Sequence, residues 1–170
     1  FELVKDINPT GDSDIRDFYI FNGKLYFNAD DGAKGIELYE TNGSQAGTKR
    51  LKDINPAGSG YPRFFQEFNG KMYFRARTAT YGGELWETDG TSVGTRMLKD
   101  INPNGNSNPD QLTIANGKLF FRADHSQYGE ELWMTDGTSS GTQLVKDIHT
   151  AGDSKPLYLK EYGGKIYFQA

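Results

Sequence analysis

Arg63-Phe64-Phe65-Gln66-Glu67-Phe68-Asn69-Gly70-Lys71-Met72-Tyr73-Phe74-Arg75-Ala76 decides the fold. Two short segments rich in aromatic residues flank Asn-Gly, a dipeptide whose two positions both tolerate positive φ and so close a two-residue β-hairpin. Beyond a turn at Gly82-Gly83, Glu84-Leu85-Trp86-Glu87-Thr88 reads as a third strand, and Thr95–Ile101 as a fourth after Asp89-Gly90 and a loop through Gly94. Asn102-Pro103-Asn104-Gly105 stops the chain there. No segment carries a convincing 3.6-residue apolar period.

The same unit recurs every 47 residues without insertion or deletion. Lys-Asp-Ile opens it at Lys5, Lys52, Lys99 and Lys146, and the hairpin dipeptide recurs as Asn22-Gly23, Asn69-Gly70, Asn116-Gly117 and Gly163-Gly164. Four short antiparallel strands in roughly 40–50 residues is the size of one propeller blade. The expected fold is therefore all-β, a β-propeller-type array of four-stranded blades forming part of a longer propeller. Its units run about 8–54, 55–101 and 102–148, with a partial unit at 149–170 and the last strand of a further blade at 1–7. The columns Ala29/Ala76/Ala123/Ala170, Phe27/Phe74/Phe121/Phe168 and Leu38/Leu85/Leu132 read as inter-blade core. Gly11, Gly58, Gly105 and Gly152 are expected to hold a backbone conformation closed to side chains. Lys24, Lys71 and Lys118 are expected to pair with Glu37, Glu84 and Glu131 across strands.

Composition narrows the function. The chain has 170 residues, 21 of them Gly, no Cys, and a net charge of −4 with both signs interspersed. No basic patch suggests nucleic acid, no apolar run suggests membrane insertion, and thiolate metal sites and disulfides are excluded. His125 and His149 fall in different columns, which argues against zinc. No nucleophile elbow or phosphate loop occurs. Asp30-Asp31-Gly32, Asp12, Asp14 and Asp124 offer oxygen ligands of the kind calcium takes. The second unit carries Arg77-Thr78-Ala79 at the first of these places, so Asp/Gly turns are the ordinary reading and no cofactor is expected.

Glu84-Leu85-Trp86-Glu87-Thr88-Asp89-Gly90-Thr91 and Glu131-Leu132-Trp133-Met134-Thr135-Asp136-Gly137-Thr138, with Gly94-Thr95 and Gly141-Thr142, resemble the signature of the ELWxxDGT repeat family. The resemblance spans essentially the whole chain. It implies a propeller-like fold in a large secreted or surface-attached bacterial protein, hence an extracellular or cell-surface location, and it implies no catalytic residues. Tyr39, Asn42 and Ser44 replace Trp, Asp and Thr in the first unit.

The expected function is a noncatalytic module for adhesion, display or assembly, with protein partners or further blades of the same protein. A lectin-like module is the alternative, with ligand-binding residues Tyr39, Trp86 and Trp133 in one column, Tyr81 and Tyr128 in another, and Asp89 and Asp136 in the turns. A third reading is the scaffold portion of a larger enzyme.

Overall fold

The computed structural model describes residues 2–170 and contains fourteen strands among them, with no helix. The first sheet is β1 (Arg16–Phe21), β2 (Lys24–Asp30), β3 (Ile36–Thr41) and β4 (Lys49–Lys52). The second is β5 (Arg63–Phe68), β6 (Lys71–Thr78), β7 (Gly82–Thr88) and β8 (Arg96–Lys99). The third is β9 (Asp110–Ala115), β10 (Lys118–His125), β11 (Gly129–Thr135) and β12 (Gln143–Lys146), and β13 (Leu157–Tyr162) pairs with β14 (Lys165–Gln169). Each sheet is an antiparallel meander in chain order. The sheets meet along their first strands, in the order β1, β5, β9, β13.

Hydrophobic faces between sheets form the core. Phe74, Ala76 and Trp86 of the second sheet pack with Phe21, Tyr26, Leu38 and Ile54 of the first unit and the linker. Phe121, Ala123 and Trp133 repeat this against Phe68, Tyr73, Leu85 and Ile101. The Ala, Phe and Leu columns are buried in all three four-stranded sheets, as expected of inter-sheet core, whereas Ala170 at the end of the two-stranded sheet is exposed.

The signature loops are self-satisfied. Asp89 Oδ1 accepts from Thr91 N (2.8 Å) and Thr91 Oγ1 (2.7 Å), Thr91 Oγ1 accepts from Gly94 N (2.9 Å), and Thr91 O accepts from Thr95 N (3.0 Å). Thr88 and Thr95 hydroxyls close the base at 2.7 Å. Asn42 and Ser44 reproduce the first part of this loop, with Ser44 Oγ donating to Asn42 Oδ1 at 2.7 Å and Gly47 N donating to Ser44 Oγ at 3.0 Å. The first unit therefore departs in sequence and not in loop geometry.

Three expectations are corrected. Gly11, Gly58, Gly105 and Gly152 lie outside the left-handed region, and an added Cβ would meet ordinary contacts at the first three, such as Asn55 Nδ2 at 3.7 Å from Gly58, and a tighter one at Gly152, His149 Nδ1 at 3.3 Å. Lys24 and Lys71 pair with Glu40 and Glu87, at 2.8 and 3.0 Å, because register puts Glu37 opposite Ala29 at the far end of the ladder. Glu2–Ile7 form no strand, and Phe1 lies outside the described residues. The outer strand of a unit hydrogen-bonds to its third strand, and among the described residues none stands beside Glu2–Ile7. Lys5 Nζ donating to Thr48 O at 2.7 Å repeats the contact of Lys99 Nζ with Thr142 O.

Candidate functional site

The aromatic columns distribute over three different environments. Trp86 and Trp133 are buried and serve the core, and neither indole N–H has a partner among the described residues. Tyr39 is also buried, and its hydroxyl donates to Asp31 Oδ2 at 3.1 Å while Arg50 pairs with the same oxygen at 2.6 Å. In the first unit the place is thus filled by a polar network. In the third unit His125 fills it, stacked on Tyr128 at 4.8 Å and tilted against Trp133 at 5.9 Å. In the second unit Thr78 stands where the others have Asp31 and His125, and there Tyr81 and Trp86 line an apolar cleft of about 310 Å³ with Ile54, Pro56 and Met97. Tyr81 is half exposed at its mouth.

Asp89 and Asp136 belong elsewhere. They follow β7 and β11, whereas Tyr81 and Tyr128 precede those strands, so a whole strand separates them. At about 3.3 Å per residue that is on the order of 20 Å. Both carboxyls are held below the usual range, chiefly by the hydroxyls of Thr91 and Thr138 and the amides of the same residues. They shape turns.

A second set of polar residues, to whose glutamates sequence reasoning gave lysine partners, joins one sheet to the next. Glu37, Glu84 and Glu131 have no exposed surface. Glu37 accepts from Ile54 N (2.7 Å), Asn55 N (3.2 Å) and Gly60 N (2.9 Å), all in the linker to the next sheet. Glu84 accepts from Ile101 N (2.8 Å), Ser107 N (2.9 Å) and Ser107 Oγ (2.6 Å). Burial pushes Glu37 and Glu84 up to about 7 against the pull of these donors. Asn55 and Asn102 act beside them: their Oδ1 atoms accept from Ala79 N and Ser126 N of the following sheet, each at 3.2 Å. The available signal was polarity in a column of invariant Glu and a column of Asn broken only at His149.

The first strands carry the strain and the variation. Each contains a bulge, seen as a register break between Arg16 and Tyr19, Arg63 and Gln66, Asp110 and Phe120's partner Thr113, and Leu157 and Lys160. At each bulge a non-glycine residue takes the left-handed conformation: Asp17 (φ 55°), Phe64 (61°), Gln111 (57°) and Tyr158 (58°). Three residues earlier Asp14, Tyr61, Asn108 and Lys155 do the same, at φ 44–50°. Such conformations are uncommon outside glycine and are outliers for bulky side chains. Beside these residues, Tyr61, Arg63, Arg75, Arg77, Asn106 and Asn108 line a cleft of about 280 Å³.

No protein-family model and no curated protein matches the chain. Among solved structures it is similar to an alpha-L-arabinofuranosidase from Clostridium thermocellum, with 16% identity and a TM-score of 0.38. That likeness covers 89% of this chain and 58% of the other, so this chain spans under two thirds of the protein it resembles.

Proposed function

We propose that the chain is a noncatalytic β-propeller-type module of a secreted or cell-surface protein, serving adhesion, display or assembly. One observation carries this reading. The buried carboxylates, the groups most suited by their surroundings to acid–base work, are each committed: Glu37, Glu84 and Glu131 accept the linker amides that join sheets, and Glu40 and Glu87 pair with Lys24 and Lys71. The sequence signature is likewise committed to closing loops. A panel of glycoside, ester and phosphate substrates is expected to show no turnover. Turnover that disappears in Glu84→Gln with the fold intact would overturn the reading.

The Tyr81–Trp86 cleft favours one further reading, a carbohydrate seat at the second unit, since an aromatic wall with an exposed Tyr suits the apolar face of a sugar ring. A glycan array decides between them. Binding that falls at least tenfold in Tyr81→Ala assigns the cleft to sugar. Absence of binding, or binding indifferent to Tyr81, leaves the display and assembly role.

A further inference from the structure

The cross-strand pair at the head of the second sheet has the wrong charges. Arg63 on β5 stands directly opposite Arg75 on β6. The same register position in the third sheet holds Asp110 opposite Arg122, joined at 2.9 Å between Nε and Oδ1 and again through the second oxygen. In the first sheet it is Arg16 opposite Asn28, and in the two-stranded sheet Leu157 opposite Gln169. Like charges directly opposite one another destabilise a sheet.

No carboxylate among the described residues reaches the pair directly, and Asp110 and Asp17 act on Arg75 only at a distance. Among the described residues no carboxylate forms an ion pair with Arg63, Arg75 or Arg77. Of the nearby carboxylates, Asp110 is paired with Arg122, and Asp17 keeps its charge but is held by Asn28 Nδ2 at 2.8 Å. Arg63 Nε is buried with no acceptor. Arg75 lies over the Phe64 ring at 4.8 Å, and burial followed by repulsion from Arg63 lowers its proton affinity. Phe64 holds φ 61° at the bulge and Tyr61 holds φ 46°, so strained backbone puts a ring against one guanidinium and a phenol at the rim. All three arginines open onto the 280 Å³ cleft between the second sheet and the linker that leads to the third.

We propose that this cleft binds an oxyanion, a carboxylate or sulfate group, held between the Arg63 and Arg75 guanidiniums with Arg77 at the exposed edge. The planar fork of arginine suits such groups, which accept two parallel hydrogen bonds. A volume of about 280 Å³ fits a small molecule or one acidic sugar unit, near the lower end of ligand pockets at roughly 300 Å³. The ligand supplies in trans the negative charge that Asp110 supplies within the third sheet. This inference is independent of the Tyr81–Trp86 reading, which concerns a different cleft.

The test is calorimetric titration of the protein with sodium sulfate, sodium glucuronate and glucose at constant ionic strength. Sulfate and glucuronate are expected to bind and to compete, and glucose not to bind. Binding of both anions points to the charged group alone, and binding of glucuronate without sulfate to an acidic sugar; either supports the site. Arg63→Gln is expected to lower anion affinity at least tenfold, and Arg16→Gln, at the matching place in the first sheet, to leave it unchanged. Arg63→Asp recreates the Asp110–Arg122 arrangement, so it is expected to fold, to melt no lower than the parent and to lose anion binding. No binding of either anion by the parent, equal binding of glucose, or retained binding in folded Arg63→Asp would each overturn the proposal.

Discussion

Gly90 shows how one atom's absence sets a contact between sheets. It holds φ +91°, and a Cβ added there would lie 2.9 Å from the Tyr26 hydroxyl of the preceding sheet. Gly137 stands in the same relation to Tyr73. Gly70 is also left-handed, at φ +72°, but opens onto empty space. Gly90→Ala is therefore expected to cost about 2–3 kcal/mol in urea unfolding, from backbone strain together with overlap, and Gly70→Ala about 1 kcal/mol from strain alone. Tyr26→Phe in the Gly90→Ala background is expected to recover part of the difference, which a double-mutant cycle measures. The sequence shows both glycines as turn residues; which of them also receives a neighbour's side chain follows from how the sheets stack.

Near the start of β3 and β7 sit the sheet-to-linker clasps Glu37 and Glu84, and these two titrate. With its carboxyl at about 7 when folded and near 4.5 when unfolded, Glu84 binds a proton on folding between these values. Its contribution to stability is fully present below about 4.5 and is lost as the pH rises through about 7; Glu37 adds to the same trend. Unfolding followed from pH 5 to pH 8 is expected to show falling stability from Glu37 and Glu84. Glu84→Gln keeps one carbonyl acceptor but turns an NH2 toward backbone donors. It is expected to cost about 1–3 kcal/mol near pH 5 and to flatten the slope, the gap to the parent narrowing by pH 8. Strand positions themselves were legible from alternation and turn dipeptides: Arg63–Phe68 is expected and found, and β6 and β7 extend the expected strands by two residues each. The fourth strand is shorter than expected, Arg96–Lys99, because the chain leaves the ladder after Lys99 and Ile101 N donates to Glu84 of its own sheet.

Across the molecule, protection should follow the completeness of each sheet. The second sheet has a neighbour on both faces, and Met72, Phe74 and Leu85 have no exposed surface. The β13–β14 pair has two strands, and Tyr158, Tyr162 and Tyr167 are exposed at 74%, 76% and 54%. An isolated two-stranded sheet is marginal in water. Amides of Lys165–Gln169 are expected to exchange roughly a hundredfold faster than those of Lys71–Thr78, read by hydrogen exchange at neutral pH. Equal protection would mean that β13 and β14 are stabilised by contacts beyond those with β9.

The 47-residue period and its turn dipeptides determined, without coordinates, an all-β chain of repeated meanders and most of its core columns, because hairpin chemistry and strand alternation are local. The period could not say that Glu84 and Asn55 clasp the next sheet, since their partners lie 17 to 24 residues away in the linker and the following loop. Nor could it sort the aromatic column: Tyr39, Trp86 and Trp133 share a position, but Asp31, Thr78 and His125 beside them make one place polar, one open and one filled. The variation between units carries no meaning until strands pair. Pairing then sets Arg63 against Arg75 where the next sheet sets Asp110 against Arg122. Charge opposition across a ladder depends on register, and the bulge that sets this register is a property of the folded backbone.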